Sequence, residues 1–339
     1  MSRRCKWTIV VVVAALICLA VSATAVWAVL TPSQVKGNQL ATLAFYANDI
    51  PVGWNPQGLA FDGTNVWVAN SYGFYPEGNS VSKINASTGA ASYYGNLDQG
   101  PCALAFDGSY IYVACYKGNF LDKLNPSTGA IVDRWQVVGG PRAVLFDGTY
   151  IWVARYLDKA VTRYSKDGNG TSITRSVGAA ASALAFDGTS VWVACVGTNS
   201  VKKFNASSAA LVNTYAVGSQ PYALAFDGTS IWTANYASNT VTKLNAANGA
   251  VLGTYAVGSG PYALAFDQPG YSNGPVTDPK TYMWVACKNN SMLYKLDTKT
   301  GAIVGSYPVG TYPAGLAFDG TNMWVSQYTV NSVAKIRAR

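Results

Sequence analysis

Residues Pro221–Asn235 read P-Y-A-L-A-F-D-G-T-S-I-W-T-A-N, and this stretch recurs along the chain. Copies begin at Pro56, Pro101, Pro141, Ala181, Pro221, Pro261 and Pro313, and each carries an Asp: Asp62, Asp107, Asp147, Asp187, Asp227, Asp267 and Asp319. Successive Asp residues lie 45, 40, 40, 40, 40 and 52 residues apart. A fixed period of about 40–45 residues with four strands per unit is one blade of a propeller. In Tyr222–Phe226 the alternation sets Leu224 and Phe226 on one face and Ala223 and Ala225 on the other. That is a strand apolar on both sides, as expected between two packed layers. Asp227-Gly228-Thr229 predicts a tight hairpin, with Gly at positive φ and the Asp side chain accepting from nearby backbone N–H groups. A second strand, Ile231–Asn235, carries a Trp that recurs as Trp67, Trp152, Trp192, Trp232, Trp284 and Trp324, with Tyr112 in the remaining copy. A third strand over Asn239–Asn245, a turn and a fourth over Ala250–Val257 complete the unit. Residues present in every copy are scaffold.

Working outward, the chain has 339 residues, 50% hydrophobic and 12% charged, enough for one large core. The expected fold is all-β: a seven-bladed β-propeller over residues 40–339. The last unit stops after its third strand, Ser332–Arg337. Leu40–Tyr46 has the character of a fourth strand and is expected to complete that blade, closing the ring and removing its exposed edges. Residues 31–39 form a linker. In residues 1–30, Arg3, Arg4 and Lys6 precede an uncharged run, Trp7–Leu30. A basic start and an apolar core make an export signal, and Ala23-Thr24-Ala25 offers a cleavage pattern. The run is also long enough to span a bilayer as a retained anchor. Either way the propeller is expected outside the cytoplasm, secreted or membrane-anchored through residues 7–30. Insertions at Ser71–Gly78 and Gln268–Tyr282 break the period on opposite faces.

The unit V-G-x-x-P-x-A-L-A-F-D-G-T-x-I-W-V-A-N, followed by N-x-V-x-K-L-N-x-x-T-G-A, resembles the YVTN class of propeller repeats, with Ile231–Asn235 in the place of its signature. It is also similar to NHL-type repeats and to the seven-bladed streptogramin (virginiamycin B) lyases. The lyase resemblance implies a metal-dependent enzyme with a catalytic histidine.

The chain has no His. Triads built on His are excluded, and the commonest metal ligand is missing. Glu77 is the only Glu, and Asp122, Asp158 and Asp297 fall at different points of their units, so a paired-carboxylate site is not assembled. No catalytic residue, metal site or cofactor is expected. The expected role is a binding or interaction module; a lyase-like enzyme, disfavoured by the missing His, and a structural envelope protein are the alternatives.

Positions that vary among copies nominate the site. One follows the Pro: Gln57, Cys102, Arg142, Ser182, Tyr222, Tyr262 and Ala314. The other ends the second strand: Asn70, Cys115, Arg155, Cys195, Asn235, Cys287 and Gln327. Hairpin pairing brings both sets to one end, so both are expected to ring one mouth of the central channel. Tyr72, Tyr116, Tyr156, Tyr236, Tyr328, Lys117 and Lys288 follow directly, giving an aromatic, cationic rim suited to a protein partner, a glycan or an anionic polymer. Cys102 and Cys115 flank one hairpin; a disulfide and two small buried side chains are both compatible with that spacing. Net charge is +8. The basic residues of the third strands (Lys83, Lys123, Arg163, Lys203, Lys243, Lys295, Lys335) read as solvated edges rather than a nucleic-acid stripe. A monomer is expected.

Overall fold

A computed structural model describes residues 49–71, 79–167, 172–267 and 281–338. These form seven four-stranded antiparallel sheets. The inner strands are Pro56–Phe61, Pro101–Phe106, Pro141–Phe146, Ala181–Phe186, Pro221–Phe226, Pro261–Asp267 and Pro313–Phe318, heading blades 1 to 7 in order. In blades 1 to 6 the second, third and outer strands follow consecutively in sequence. The sole helical turn among the described residues is a 3-10 turn at Val196–Thr198.

Blade 7 takes its outer strand from the N-terminal side. Asp49–Pro51 pairs antiparallel with Ser332–Ala334, Val52 N–H donates to Asn331 O at 2.9 Å, and Gln327 Nε2 donates to Asp49 Oδ1 at 3.0 Å. The closing strand is therefore Asp49–Pro51 rather than Leu40–Tyr46, which lies outside the described residues. The reason is spacing. Val52-Gly53 stands four residues before Pro56 as Val257-Gly258 stands four before Pro261, so the outer strand must end at Pro51. The proposed signal or anchor, the linker, and nearly all of both insertions also lie outside the described residues. Among the described residues no helix is long and apolar enough to cross a membrane.

One motif repeats between the first two strands of every blade. In the turn of blade 5, Asp227 Oδ1 accepts from the backbone N–H of Thr229 and Ser230 at 2.9 and 2.6 Å, and Oδ2 accepts from the Trp232 indole at 2.7 Å. Asp267 makes the corresponding bonds to Tyr282 N–H and the Trp284 indole, even though the second insertion separates them. In blade 2, Tyr112 donates to Asp107 instead. Burial opposes the charge on Asp62 and Asp187. The indole and backbone donors outweigh it, holding both carboxyls below the ordinary range. All six Trp rings of this set are wholly buried.

The third-strand cations are not solvated edges. Lys83 Nζ lies 5.3 Å above the Trp67 ring and Lys203 Nζ 4.9 Å above Trp192. Each cation then reaches into the next blade. Lys83 donates to Pro126 O, Lys123 to Lys166 O, Arg163 to Ala206 O, Lys203 to Ala246 O, Lys243 to Thr298 O, Lys295 to Ala338 O and Lys335 to Ala86 O, at 2.6 to 3.1 Å. The last of these returns from blade 7 to blade 1. Both faces of a blade pack on neighbours, so the cation-bearing face of the third strand is an interface, and the cation meets a carbonyl there instead of water.

Candidate functional site

Every inner strand carries a β-bulge next to its first residue. In blade 5, Pro221 pairs with Asn235 but Ala223 already pairs with Ala234, leaving Tyr222 unmatched. The same shift occurs in the other six inner strands. A bulge re-aims the unmatched side chain. Here it turns the position after the Pro toward the axis. Gln57, Cys102, Arg142, Ser182, Tyr222, Tyr262 and Ala314 accordingly line a central channel of about 190 Å³, above collars of small residues and Leu. In blade 1 the small residue is Gly58, where a Cβ would lie 2.7 Å from Cys102 O.

The second variable set goes elsewhere, which corrects the expectation that it shares the mouth. It keeps regular alternation and points into the blades. Asn70, Cys115, Cys195, Asn235 and Cys287 are wholly buried, and Gln327 nearly so. Asn70 Nδ2 donates to Ser80 Oγ and Ser82 Oγ, and Asn235 Nδ2 to Thr242 Oγ1 at 2.9 Å. Arg155 is tied to Val138 O and pairs with Asp158. The position of Tyr72 lies outside the described residues. Cys102 and Cys115 are free, buried thiols. Cys102 faces Pro141 O at 3.4 Å and Cys115 faces Asp122 at 3.7 Å. Burial pushes the Cys195 thiol up to about 11 and Cys287 up to about 12, so neither is a reactive thiolate.

At the mouth itself, a cavity of about 370 Å³ is lined by Tyr116, Arg142, Tyr156, Tyr222, Tyr236, Tyr262 and Lys288. Arg142 reaches from blade 3 across the channel. Its Nη1 donates to Gln57 Oε1 in blade 1 at 3.0 Å, and its Nη2 bonds Tyr262 Oη in blade 6. Its guanidinium thus forms the floor of the mouth and the ceiling of the channel. Tyr222 and Tyr262 stack at 5.3 Å, with Tyr236 edge-on to both. Tyr116 and Tyr156 form a second edge-on pair. Tyr222 is pushed up to about 12, by burial and then by its bond with Tyr156, so its hydroxyl stays protonated. Lys288 Nζ lies 4.3 Å from the Tyr262 ring centre and 5.6 Å from those of Tyr312 and Tyr328. Its pKa is lowered by burial and then by the charge of Arg142.

No ion pair among the described residues involves Arg142 or Lys288. The other carboxylates set aside above are occupied elsewhere: Asp122 pairs with Arg134 and Asp297 accepts from its own turn. No group of three or more metal-binding side chains occurs among the described residues. The rim includes residues that the repeat comparison passed over. Tyr312 holds φ at 58°, where other blades place Gly100, Gly140 and Gly260, so a large ring is carried in the left-handed region. Tyr312 and Trp54 are each nearly half exposed. The missed signal was an aromatic residue one or two places before the inner-strand Pro.

No protein-family model and no curated protein matches the sequence. Solved structures do match in shape. Kuenenia stuttgartiensis hydrazine synthase aligns with a TM-score of 0.68 at 18% identity, over 84% of this chain and 96% of that one. A streptogramin B lyase structure aligns with a TM-score of 0.68 at 16% identity, over 86% of this chain and 99% of that one. The chain thus has a streptogramin-lyase-like propeller scaffold, and at these identities the likeness speaks for the fold alone.

Proposed function

We propose that this protein is a monomeric binding module working outside the cytoplasm, and that the Arg142–Lys288 mouth takes a small anionic ligand or the anionic group of a larger partner. The observation that carries the reading is the pair of cations in one tyrosine-lined cavity, with no carboxylate bridging them among the described residues. Burying a charge unpaired is costly, and an incoming anion offsets that cost for both. Tyrosine hydroxyls supply additional donors. The extracytoplasmic setting rests on the export-type segment before Leu30.

A panel of carboxylates and inorganic phosphate, titrated against intrinsic fluorescence at low and high salt, tests the site. Saturable binding weakened by salt is expected, because screening weakens charge attraction at a mouth open to solvent. Arg142→Ala with Lys288→Ala should remove it. The reading fails if every anion is ignored or if the double variant binds as well as the parent. Cell fractionation with N-terminal mass analysis tests the location: protein confined to the cytosol with residues 1–30 intact would refute that part.

A further inference from the structure

The mouth is not one compartment. Beside the cavity over Arg142 lies a second, of about 220 Å³, lined by Gln57, Ser71, Gly100, Cys102, Tyr116, Lys117, Arg142 and Tyr328. The two share Arg142 and Tyr116. Each has a lysine of its own, Lys288 in the first and Lys117 in the second; the first adds Tyr156, Tyr222, Tyr236 and Tyr262, and the second adds Tyr328. Arg142 therefore stands between two half-sites, each with a lysine and at least two tyrosines in its lining. We infer that the ligand is an acidic saccharide of at least two linked sugar acids, seated with one ring in each half-site and its carboxylates on Lys288, Arg142 and Lys117. This rests on the anion-binding reading above and names its ligand class.

Three features favour a sugar over an acidic peptide. The cavities are walled by tyrosine rings and hydroxyls rather than by aliphatic slots for side chains. A sugar ring presents a C–H face that packs on such rings and hydroxyls that meet the phenols and Gln57. The lining residues of each half-site come from several different blades, so neither offers one continuous strand edge along which a peptide strand could add. Exposed ring surface also continues outward. Tyr328 N–H donates to Tyr312 O at 3.1 Å, and Asn55, next to Trp54 in sequence, donates to Tyr328 O at 3.3 Å, so the half-exposed Tyr312 and Trp54 stand near this half-site. A longer chain of the same sugar has a platform to follow.

The test uses the full-length protein and calorimetry. The probes are galacturonate mono-, di- and tetramers, the methyl-esterified tetramer, and a tetraglutamate peptide. The dimer is expected to bind at least tenfold tighter than the monomer, since two half-sites act together. Methyl esterification should cost at least tenfold. Lys288→Ala and Lys117→Ala should each cost several-fold with the dimer, while only one of them affects a bound monomer. Unchanged melting temperatures show that the variants remain folded. Equal affinity for the esterified tetramer, for tetraglutamate, or for monomer and dimer would overturn the inference. If phosphate or simple carboxylates still bind and no saccharide does, the ligand class is wrong and the anion site stands. If nothing binds, both fall.

Discussion

The two ends of the ring differ in how seven copies of one unit behave. At the Asp-Gly end every blade makes the same bonds: carboxylate to turn, carboxylate to indole or phenol, cation over ring, cation to the next blade. At the opposite end the copies share a backbone bulge, and the side chain it presents varies from Ala314 to Arg142. Symmetric bonds hold a ring together because each interface needs the same thing. A ligand has no sevenfold symmetry, so its site must be built where the copies diverge. That separation makes the two ends independently testable.

Trp232→Ala should have the largest effect. It empties a wholly buried ring position and leaves Asp227 without its indole donor, at a cost of about 3–5 kcal/mol in a denaturant melt. Ligand binding by any protein that remains folded should be unchanged; a lost binding site with intact stability would break the comparison. Lys203→Met comes next. It removes the cation above Trp192 and orphans Ala246 O, costing about 1–3 kcal/mol by the same measurement. A neutral result would return the third-strand cations to the status of surface decoration.

Acid should weaken the Asp-Gly end. Asp62 and Asp187 have folded pKa values depressed below the unfolded value of about 3.9. Their contribution is full above that value and disappears as pH falls through the lower, folded one. Thermal melts should therefore be nearly flat between neutrality and about pH 5 and decline below about pH 4. Asp187→Asn should lower the plateau and flatten the acid limb. The smallest stability change is expected at the mouth: Arg142→Ala should alter the melt by less than about 1 kcal/mol while abolishing anion binding. If it unfolds the protein, Arg142 belongs to the scaffold.

Much of the ring was legible because period and turn chemistry are local. Seven Asp residues at near-constant spacing name the blades, and Asp-Gly-Thr names their hairpins. The position after the Pro could be nominated from its variability. Its partner at the end of the second strand could not be separated from it, since strict alternation treats Tyr222 and Asn235 as one pair. Only the bulge, which skips a residue between Pro221 and Ala223, sends one to the axis and the other inward. The third-strand cations misled for a related reason. Alternation sets Lys243 on the face opposite Leu244, shared with Val241, and a lysine there would reach water in a single sheet. In a propeller that face meets a neighbour's wall. Its place opposite Trp232, repeated in seven copies, was the available clue. The seam was misplaced because Leu40–Tyr46 is more strand-like than Asp49–Pro51, although the distance to Pro56 favours the latter.

The carbonyl clasps all run in one direction, each blade gripping its successor, and Lys335 grips blade 1 at Ala86. A linear array can lose a terminal repeat and shorten by one contact. This circle has no terminal repeat to lose. Deleting any single blade strands one cation without its carbonyl and one carbonyl without its cation, and changes the angle every remaining junction must span. Loss of a blade should thus be all-or-none for folding, and length changes that survive should be confined to loops.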